Sequence, residues 1–140
     1  MFDEITNGLM KANFKLAFKD ALSYVAPEME DQNRAQLLEG KLSNNSDITP
    51  PYADFTIKIK KRKGQKHSNV TLKDTGEFYK SIYADPVNDG IIFGANDEKA
   101  NKLESKYSSD IFGLTDANLD KDINRIIELT NKNFFDDIQF

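Results

Sequence analysis

Few side chains in this sequence have a type and spacing suited to chemistry. Asp74 and Glu77 are three residues apart, close enough for two carboxylates to act as a general acid and a general base. The alternative interpretation is a purely structural role, because Asp-Thr-Gly favours a turn and Thr75 suits the cap of a short helix. The sequence favours this structural role for Asp74, Thr75 and Gly76.

The same triplet matches the active-site triplet of aspartic proteases. In those enzymes it lies in an apolar context, usually Phe-Asp-Thr-Gly, and two copies bring two carboxylates together. Here Lys73 precedes the triplet and Glu77 follows it. A dimeric aspartic protease that uses Asp74 is therefore the weaker alternative.

No other pattern indicates catalysis. The chain has a single histidine, His67, which argues against a Ser–His triad. It has no cysteine, which excludes disulfides and thiol nucleophiles. The glycines form neither a phosphate-binding loop nor a dinucleotide-binding fingerprint. The sequence thus predicts a protein that is not an enzyme and has no cofactor or metal site.

A basic segment, residues 58–66, is the strongest local charge feature. Six of its nine residues are cations, in a chain whose net charge is −4 and whose pI is near 5.0. The negative net charge argues against non-specific electrostatic binding of nucleic acid over the whole surface. Either the lysines keep an exposed edge solvated, or they form a patch for phosphate or for acidic surfaces, including those of sister subunits. The candidate interaction residues are Lys58, Lys60, Lys61, Arg62, Lys63 and Lys66.

The C-terminal segment is both aromatic and acidic. Phe134, Phe135 and Phe140 lie among Asp136, Asp137 and neutral residues. A frayed tail is the default for a chain end, and docking onto a neighbouring subunit is the alternative. We include these three phenylalanines among the candidate assembly residues.

The elements that position these residues follow from periodicity. Ile5, Leu9, Ala12 and Leu16 recur at i, i+4, i+7 and i+11, which predicts an amphipathic helix over residues 3–25. Pro27 predicts a break and a second helix over residues 27–42. The Asn- and Pro-rich residues 43–52 predict a hinge between a helical arm, residues 1–45, and a compact domain, residues 46–140, although one domain overall is also compatible.

The remaining residues predict an α+β fold. Residues 53–63 favour a strand, with a helix opened by Asp54 as the alternative. A strand beginning at Thr71 would lead through the turn into a short helix at residues 77–81. Residues 82–84 and 91–95 predict a β-hairpin with its turn at residues 86–90, where Asp89-Gly90 is the sharpest signal. Helices are expected at residues 97–107 and 115–138. The predicted architecture has N-terminal helices, a small antiparallel sheet and a C-terminal helix packed on it.

The block from Tyr52 to Ile82 resembles small morphogenesis proteins of tailed bacteriophages, the neck, head–tail connector and tail-completion proteins. These show a Lys-rich segment, then Leu-x-x-Thr-Gly-x-Leu-x-x-Ser-Ile, then a hairpin. In this sequence the pattern is matched by Leu72, Thr75, Gly76, Phe78, Ser81 and Ile82. Phe78 stands where the family usually has Leu. The segment Ile111-Phe-Gly-Leu-Thr115 and the closing helix are similar to a variant from phages of gut Bacteroidetes, including crAss-like phages. A His-x-x-Gly-like pattern of the family is absent.

The resemblance implies a structural virion protein, made in the host cytoplasm, that forms a homo-oligomeric ring of six or twelve copies at the head–tail junction. It implies contacts with other neck, portal or tail proteins, and a basic segment that faces a neighbour or the DNA channel. The sequence itself predicts no membrane partner, because it lacks a long apolar run. The alternative function is a non-enzymatic binding or inhibitory module that acts through charged patches.

Overall fold

The computed structural model of the chain describes residues 2–88 and 90–137. The predicted α+β class is confirmed, because helices accompany one two-stranded antiparallel sheet in the described residues. A short 3-10 helix, Ser109–Ile111, precedes the last helix. In chain order the elements are α1 (Phe2–Leu38), α2 (Asp54–Arg62), α3 (Glu77–Ser81), β1 (Ile82–Val87), β2 (Gly90–Ala95), α4 (Ala100–Tyr107) and α5 (Asp116–Asp137).

Helix α1 runs unbroken through Pro27, so the predicted break and separate second helix were wrong. Proline in a helix interior removes one backbone hydrogen bond and ordinarily costs about 3 kcal/mol. The proline ring is exposed, whereas Val25, Ala26 and Met29 around it are buried. Tertiary packing on both sides of Pro27 therefore keeps the helix continuous.

The second half of α1 binds backbone with polar side chains. Asn33 is fully buried, where its Nδ2 donates to the Ile111 carbonyl at 2.9 Å and its Oδ1 accepts from the Gly113 N–H at 3.1 Å. The Gln36 Nε2 donates to the Gly113 carbonyl, and its Oε1 accepts from the Thr115 N–H, both at 2.9 Å. The segment Ile111–Thr115 is thus held along α1.

The same half of α1 also holds the start of the hairpin. Arg34 donates from Nε to the Tyr79 carbonyl at 2.7 Å and from Nη2 to the Ile82 carbonyl at 2.9 Å. The Glu30 carboxylate accepts from the Ala84 N–H at 3.1 Å. Helix α1 therefore positions both segments that carry the phage resemblance.

Residues 54–62 form helix α2, so the favoured strand prediction was wrong and the helix alternative was right. The acidic Asp54 lies in the first turn and basic residues fill the last, which matches the helix dipole. The strand expected to begin at Thr71 was also wrong, because residues 71–73 have no regular secondary structure. There the Thr71 N–H donates to the Tyr52 hydroxyl at 3.0 Å instead.

The predicted hairpin is present and longer than expected. Strand β1 pairs with β2 in antiparallel register from Ile82–Ala95 to Val87–Gly90. Gly90 is the first residue of β2, so the loop narrows to positions 88 and 89. Asn88 has a φ of +54°, as primed two-residue turns require. The turn role predicted for Asp89 lies outside the described residues.

Two clusters of buried side chains form the interior. One includes Leu37, Phe78 and Ile111, and the other includes Val25, Ala84 and Ile126, so that α1, the hairpin and α5 share the second cluster. Helices α1 and α5 are antiparallel, because Gln32 bonds Asp122 while Phe14 packs edge-on against Phe134 at 5.6 Å. The division into an arm and a compact domain stays a prediction.

Candidate assembly surfaces

The structure divides the predicted basic segment into cations that bond other parts of the chain and cations that do not. Lys60 is buried, and its Nζ donates to the Lys73 carbonyl at 2.9 Å while lying 4.9 Å from the centre of the Tyr52 ring. Lys63 pairs with Asp74 at 3.0 Å, and the Lys66 Nζ donates to the Leu38 carbonyl at 3.0 Å. These three cations hold α2 and the following loop in place.

The other three cations, Lys58, Lys61 and Arg62, point into solvent. Within the described residues, none of them makes a hydrogen bond or ion pair with another side chain. Phe55 lies on the same side of α2 as Lys58 and Arg62, its i+3 and i+7 positions, and Lys61 adjoins this side as the i+3 neighbour of Lys58. Its ring is 74% exposed. We call Phe55, Lys58, Lys61 and Arg62 the Phe55 face.

Two tyrosines, Tyr52 and Tyr79, bond the backbone of Thr71 in the loop after α2. Burial raises the pKa of Tyr79, further helped by nearby Tyr52, and its hydroxyl donates to the Thr71 carbonyl. Burial also acts to raise the pKa of Tyr52, but hydrogen bonds from Thr71 and the charge of Lys60 outweigh it and lower that pKa. Both groups are structural hydrogen-bond partners of the 71–73 backbone.

Asp74, Thr75 and Gly76 form a bend that opens α3. A hydrogen bond from Lys63 holds the pKa of the exposed Asp74 carboxylate below its usual range. The Thr75 Oγ1 accepts from the Glu77 N–H at 3.3 Å, and Gly76 has a φ of +89°. The contacts of Asp74 are with Lys63 and Gln65, which link this bend to the end of α2.

A second surface is an apolar groove between α1, β2 and α5. Its volume is about 310 Å³, and its lining includes Phe18, Leu22, Ile91, Phe93, Ile123 and Ile127. Ile127 is 51% exposed although it belongs to the apolar stripe of α5. This apolar groove is therefore open to a partner.

Acidic residues extend the same stripe of α5. Asp116, Asp120, Ile123 and Ile127 are spaced by four, three and four residues, which places them on one side of the helix. Asp116 and Asp120 are exposed and make no ion pair within the described residues. We call these two carboxylates the acidic rim of the apolar groove.

A third surface is the beginning of α1. Every residue from Asp3 to Ala12 is exposed, and the 62% exposed Leu9 shares one side of the helix with Ile5 and Leu16. Phe14 lies on the other side, against Phe134 of α5. We call Ile5, Leu9, Ala12 and Leu16 the arm stripe.

The predicted C-terminal aromatic residues divide between packing and exposure. Phe134 is half-buried between Phe14 and Phe135, with ring centres 5.6 and 5.5 Å away, respectively. Phe135 is 68% exposed. Phe140 lies outside the described residues, so its assembly role stays a prediction.

Sequence reasoning missed the apolar groove and did not divide the apolar residues of α1 into a buried side and an exposed side. The one signal in the sequence that indicates the groove is the spacing of apolar residues in α5. Leu119, Ile123 and Ile127 make the apolar stripe of α5 wider than a single packing neighbour can bury. For α1, the two apolar sides were merged into one stripe because both repeat at helical spacing. The structure separates them, with Ala17, Ala21 and Val25 buried on the core side.

The chain matches no model of a protein family, and no curated protein or solved structure matches it. Among the described helices, none has the length and apolar composition that crossing a bilayer needs. The described side chains also form no group of three His, Asp or Glu residues that would hold a metal ion. The three surfaces present exposed apolar and charged side chains, the groups that interfaces between macromolecules use.

Proposed function

We propose that this chain is a structural subunit of a tailed bacteriophage, which assembles with copies of itself at the head–tail junction as a neck, connector or tail-completion protein. The observation that supports assembly is the arm stripe on an otherwise exposed helical segment. The phage setting is supported by the resemblance of residues 52–82 and 111–115.

The segment Asp3–Ala12 continues the packed part of α1 but is exposed along its whole length. Most helical stability in proteins comes from packing of an apolar side, so this end of α1 gains little by itself. The spacing of four, three and four residues in the arm stripe is that of a coiled-coil seam. A second helix laid along Ile5, Leu9 and Leu16 would remove that apolar surface from water.

Solution assembly is tested by Leu9→Glu, with Asn7→Glu as its matched control. Both substitutions add one negative charge to the exposed arm, but Asn7 lies outside the arm stripe. We expect wild type and Asn7→Glu to show the same concentration-dependent association by light scattering, and Leu9→Glu to need about tenfold more protein or worse. Equal association of all three proteins would contradict a role for the arm.

The phage setting is tested on washed particles of a phage that encodes this chain. We expect the chain to be detected by mass spectrometry of the particles and located by electron microscopy between head and tail. Particles that contain capsid and tail proteins but lack this chain would contradict the proposal.

The non-enzymatic binding module is favoured by one observation, the three unpaired cations of the Phe55 face. In that case the chain would remain a monomer and bind an acidic protein of the host. Light scattering of the wild type distinguishes the two functions, because only the structural subunit associates with itself.

A further inference from the structure

The Phe55 face and the apolar groove are complementary in polarity and in charge. One presents an exposed aromatic side chain with three exposed cations on the same helix, and the other an apolar recess bordered by two carboxylates. We propose that the Phe55 face of one copy docks in the apolar groove of the next copy. This inference rests on the proposed function, since it names a second contact, beside the arm stripe, through which copies assemble.

The apolar part of the contact is Phe55. Burying a phenylalanine removes about 150–250 Å² of surface from water, and aromatic side chains in apolar pockets are frequent centres of binding energy. The groove offers aromatic and aliphatic partners in Phe93, Ile123 and Ile127. Docking the exposed Phe55 ring in the open groove would remove the apolar surface of both from water.

The charged part of the contact supplies its orientation. Helix α2 has four basic residues against one acid, and α5 has six acids against three basic residues. Lys58 and Arg62 lie one turn and two turns after Phe55, while Asp120 and Asp116 lie one turn and two turns before Ile123. Seating Phe55 beside Ile123 therefore brings exposed cations within a helical turn or two of exposed carboxylates.

The two surfaces make a head-to-tail contact. The Phe55 face belongs to α2 and the groove to α1, β2 and α5, so they have no residue in common and one copy uses both at once. Such a heterologous contact builds a ring if its rotation closes and a filament if it does not. This is the kind of interface that the proposed ring requires.

Carbodiimide cross-linking of the wild-type chain tests the contact directly. This reagent joins a lysine amine to a nearby carboxylate as an amide, with loss of water. A mixture of nitrogen-15-labelled and unlabelled chains shows by mass spectrometry which cross-links join two copies. The Lys63–Asp74 pair, 3.0 Å apart within one chain, is the internal control that the reagent has worked.

We expect mixed-isotope peptides that join Lys58 or Lys61 to Asp116 or Asp120. The proposal is overturned if Lys63–Asp74 cross-links form while none of these intermolecular ones does, at concentrations where the chain associates. It is also overturned if the chain stays monomeric at the highest soluble concentration.

A charge exchange gives an independent test. One variant has Lys58→Glu with Arg62→Glu, and the other has Asp116→Lys with Asp120→Lys. We expect each alone to associate about tenfold more weakly than wild type or worse. Their equimolar mixture should recover association, because every contact in an alternating assembly again pairs opposite charges. Far-ultraviolet circular dichroism verifies that both variants fold.

The outcomes separate this contact from the proposed function. If Leu9→Glu disperses the assembly while both charge variants assemble like wild type, the contact is overturned and assembly stands. If the Lys58→Glu, Arg62→Glu variant loses only binding to single-stranded DNA, the Phe55 face is a nucleic-acid surface and the contact is again overturned. Absence of the chain from phage particles contradicts the proposed function alone.

Discussion

At the scale of single residues, Asp122 is a buried carboxylate with incomplete hydrogen bonding. It is fully buried, and its Oδ1 accepts from the Gln32 Nε2 at 3.1 Å. Neither its Oδ2 nor the buried Gln32 Oε1 has a hydrogen-bond partner among the residues that the structure describes. Two acceptors on facing side chains are therefore unsatisfied, and one additional proton would suit both.

Burial raises the pKa of Asp122, and the charge of Glu28 raises it further. A raised pKa means that the folded state prefers the protonated acid. The corresponding stability is fully present below the unfolded-state pKa and is lost as pH rises through the folded-state value. Ionised Asp122 is thus a destabilising feature at neutral pH.

We predict that Asp122→Asn raises the free energy of unfolding at neutral pH by about 1–3 kcal/mol, since an amide donates where the carboxylate cannot. Urea denaturation at several pH values measures it. The difference from wild type should shrink as pH falls, because wild-type Asp122 then becomes protonated. A variant less stable than wild type at neutral pH would contradict this account.

Gly76 provides the second residue-scale prediction. Its φ of +89° is unfavourable for any residue with a Cβ, while no atom within 4 Å would obstruct a side chain there. Gly76→Val should therefore lower the free energy of unfolding by about 1–2 kcal/mol through backbone strain alone. Gly90→Val is the control, because Gly90 also has open space but no positive φ. Equal stability of the two variants, measured by denaturation of dilute protein, would refute the strain.

At the scale of elements, the sequence predicted local patterns better than long-range contacts. The hairpin and α5 followed from turn chemistry at residues 86–90 and from the apolar stripe Leu119–Ile126. Helix α2 was ambiguous because alternation of Phe55, Ile57 and Ile59 fits a strand over so few residues. In the structure Lys60 is buried with its Nζ over the Tyr52 ring, a contact that the local sequence does not show.

The uninterrupted course of α1 was hidden for the same reason. Pro27 predicted a break, and the contacts that hold the second half of α1, made by Asn33, Arg34 and Gln36, are with distant backbone. Those partners lie more than forty residues away along the chain. The candidate surfaces were likewise predicted only in part. The sequence shows that residues 58–66 are rich in cations, but it does not show which of these cations are paired.

Pro27 makes the continuity of α1 testable. Replacing it with alanine restores a backbone donor inside the helix and removes no buried side chain. We predict that Pro27→Ala raises the free energy of unfolding by about 2 kcal/mol. Alanine is favoured over proline inside a helix by about 3 kcal/mol, and part of this is offset because the unfolded chain loses the restriction that proline imposes. The exposed Ser23→Ala one turn earlier is the control and should change stability by less than about 0.5 kcal/mol. Lower stability of Pro27→Ala would contradict a strained but continuous helix.

At the scale of the whole molecule, charge is unevenly distributed. A net charge of −4 combines an acidic α5 with a basic α2, so like-charged surfaces repel while the Phe55 face and the acidic rim attract. Attraction between exposed charges depends on screening, whereas burial of the arm stripe or of Phe55 does not weaken with salt. Ionic strength therefore separates the electrostatic contribution to assembly from the apolar one.

We predict that self-association weakens by about tenfold or more between 0.1 and 1 M sodium chloride, as the screening length falls from about 10 to about 3 Å. Replacing Lys58 and Arg62 with methionine keeps the apolar character of the Phe55 face but removes two of its charges. This variant should associate more weakly than wild type at low salt and show a much smaller salt dependence. Light scattering across the salt series measures both proteins, and the same salt dependence in wild type and variant would show that these two cations do not face carboxylates in the assembly.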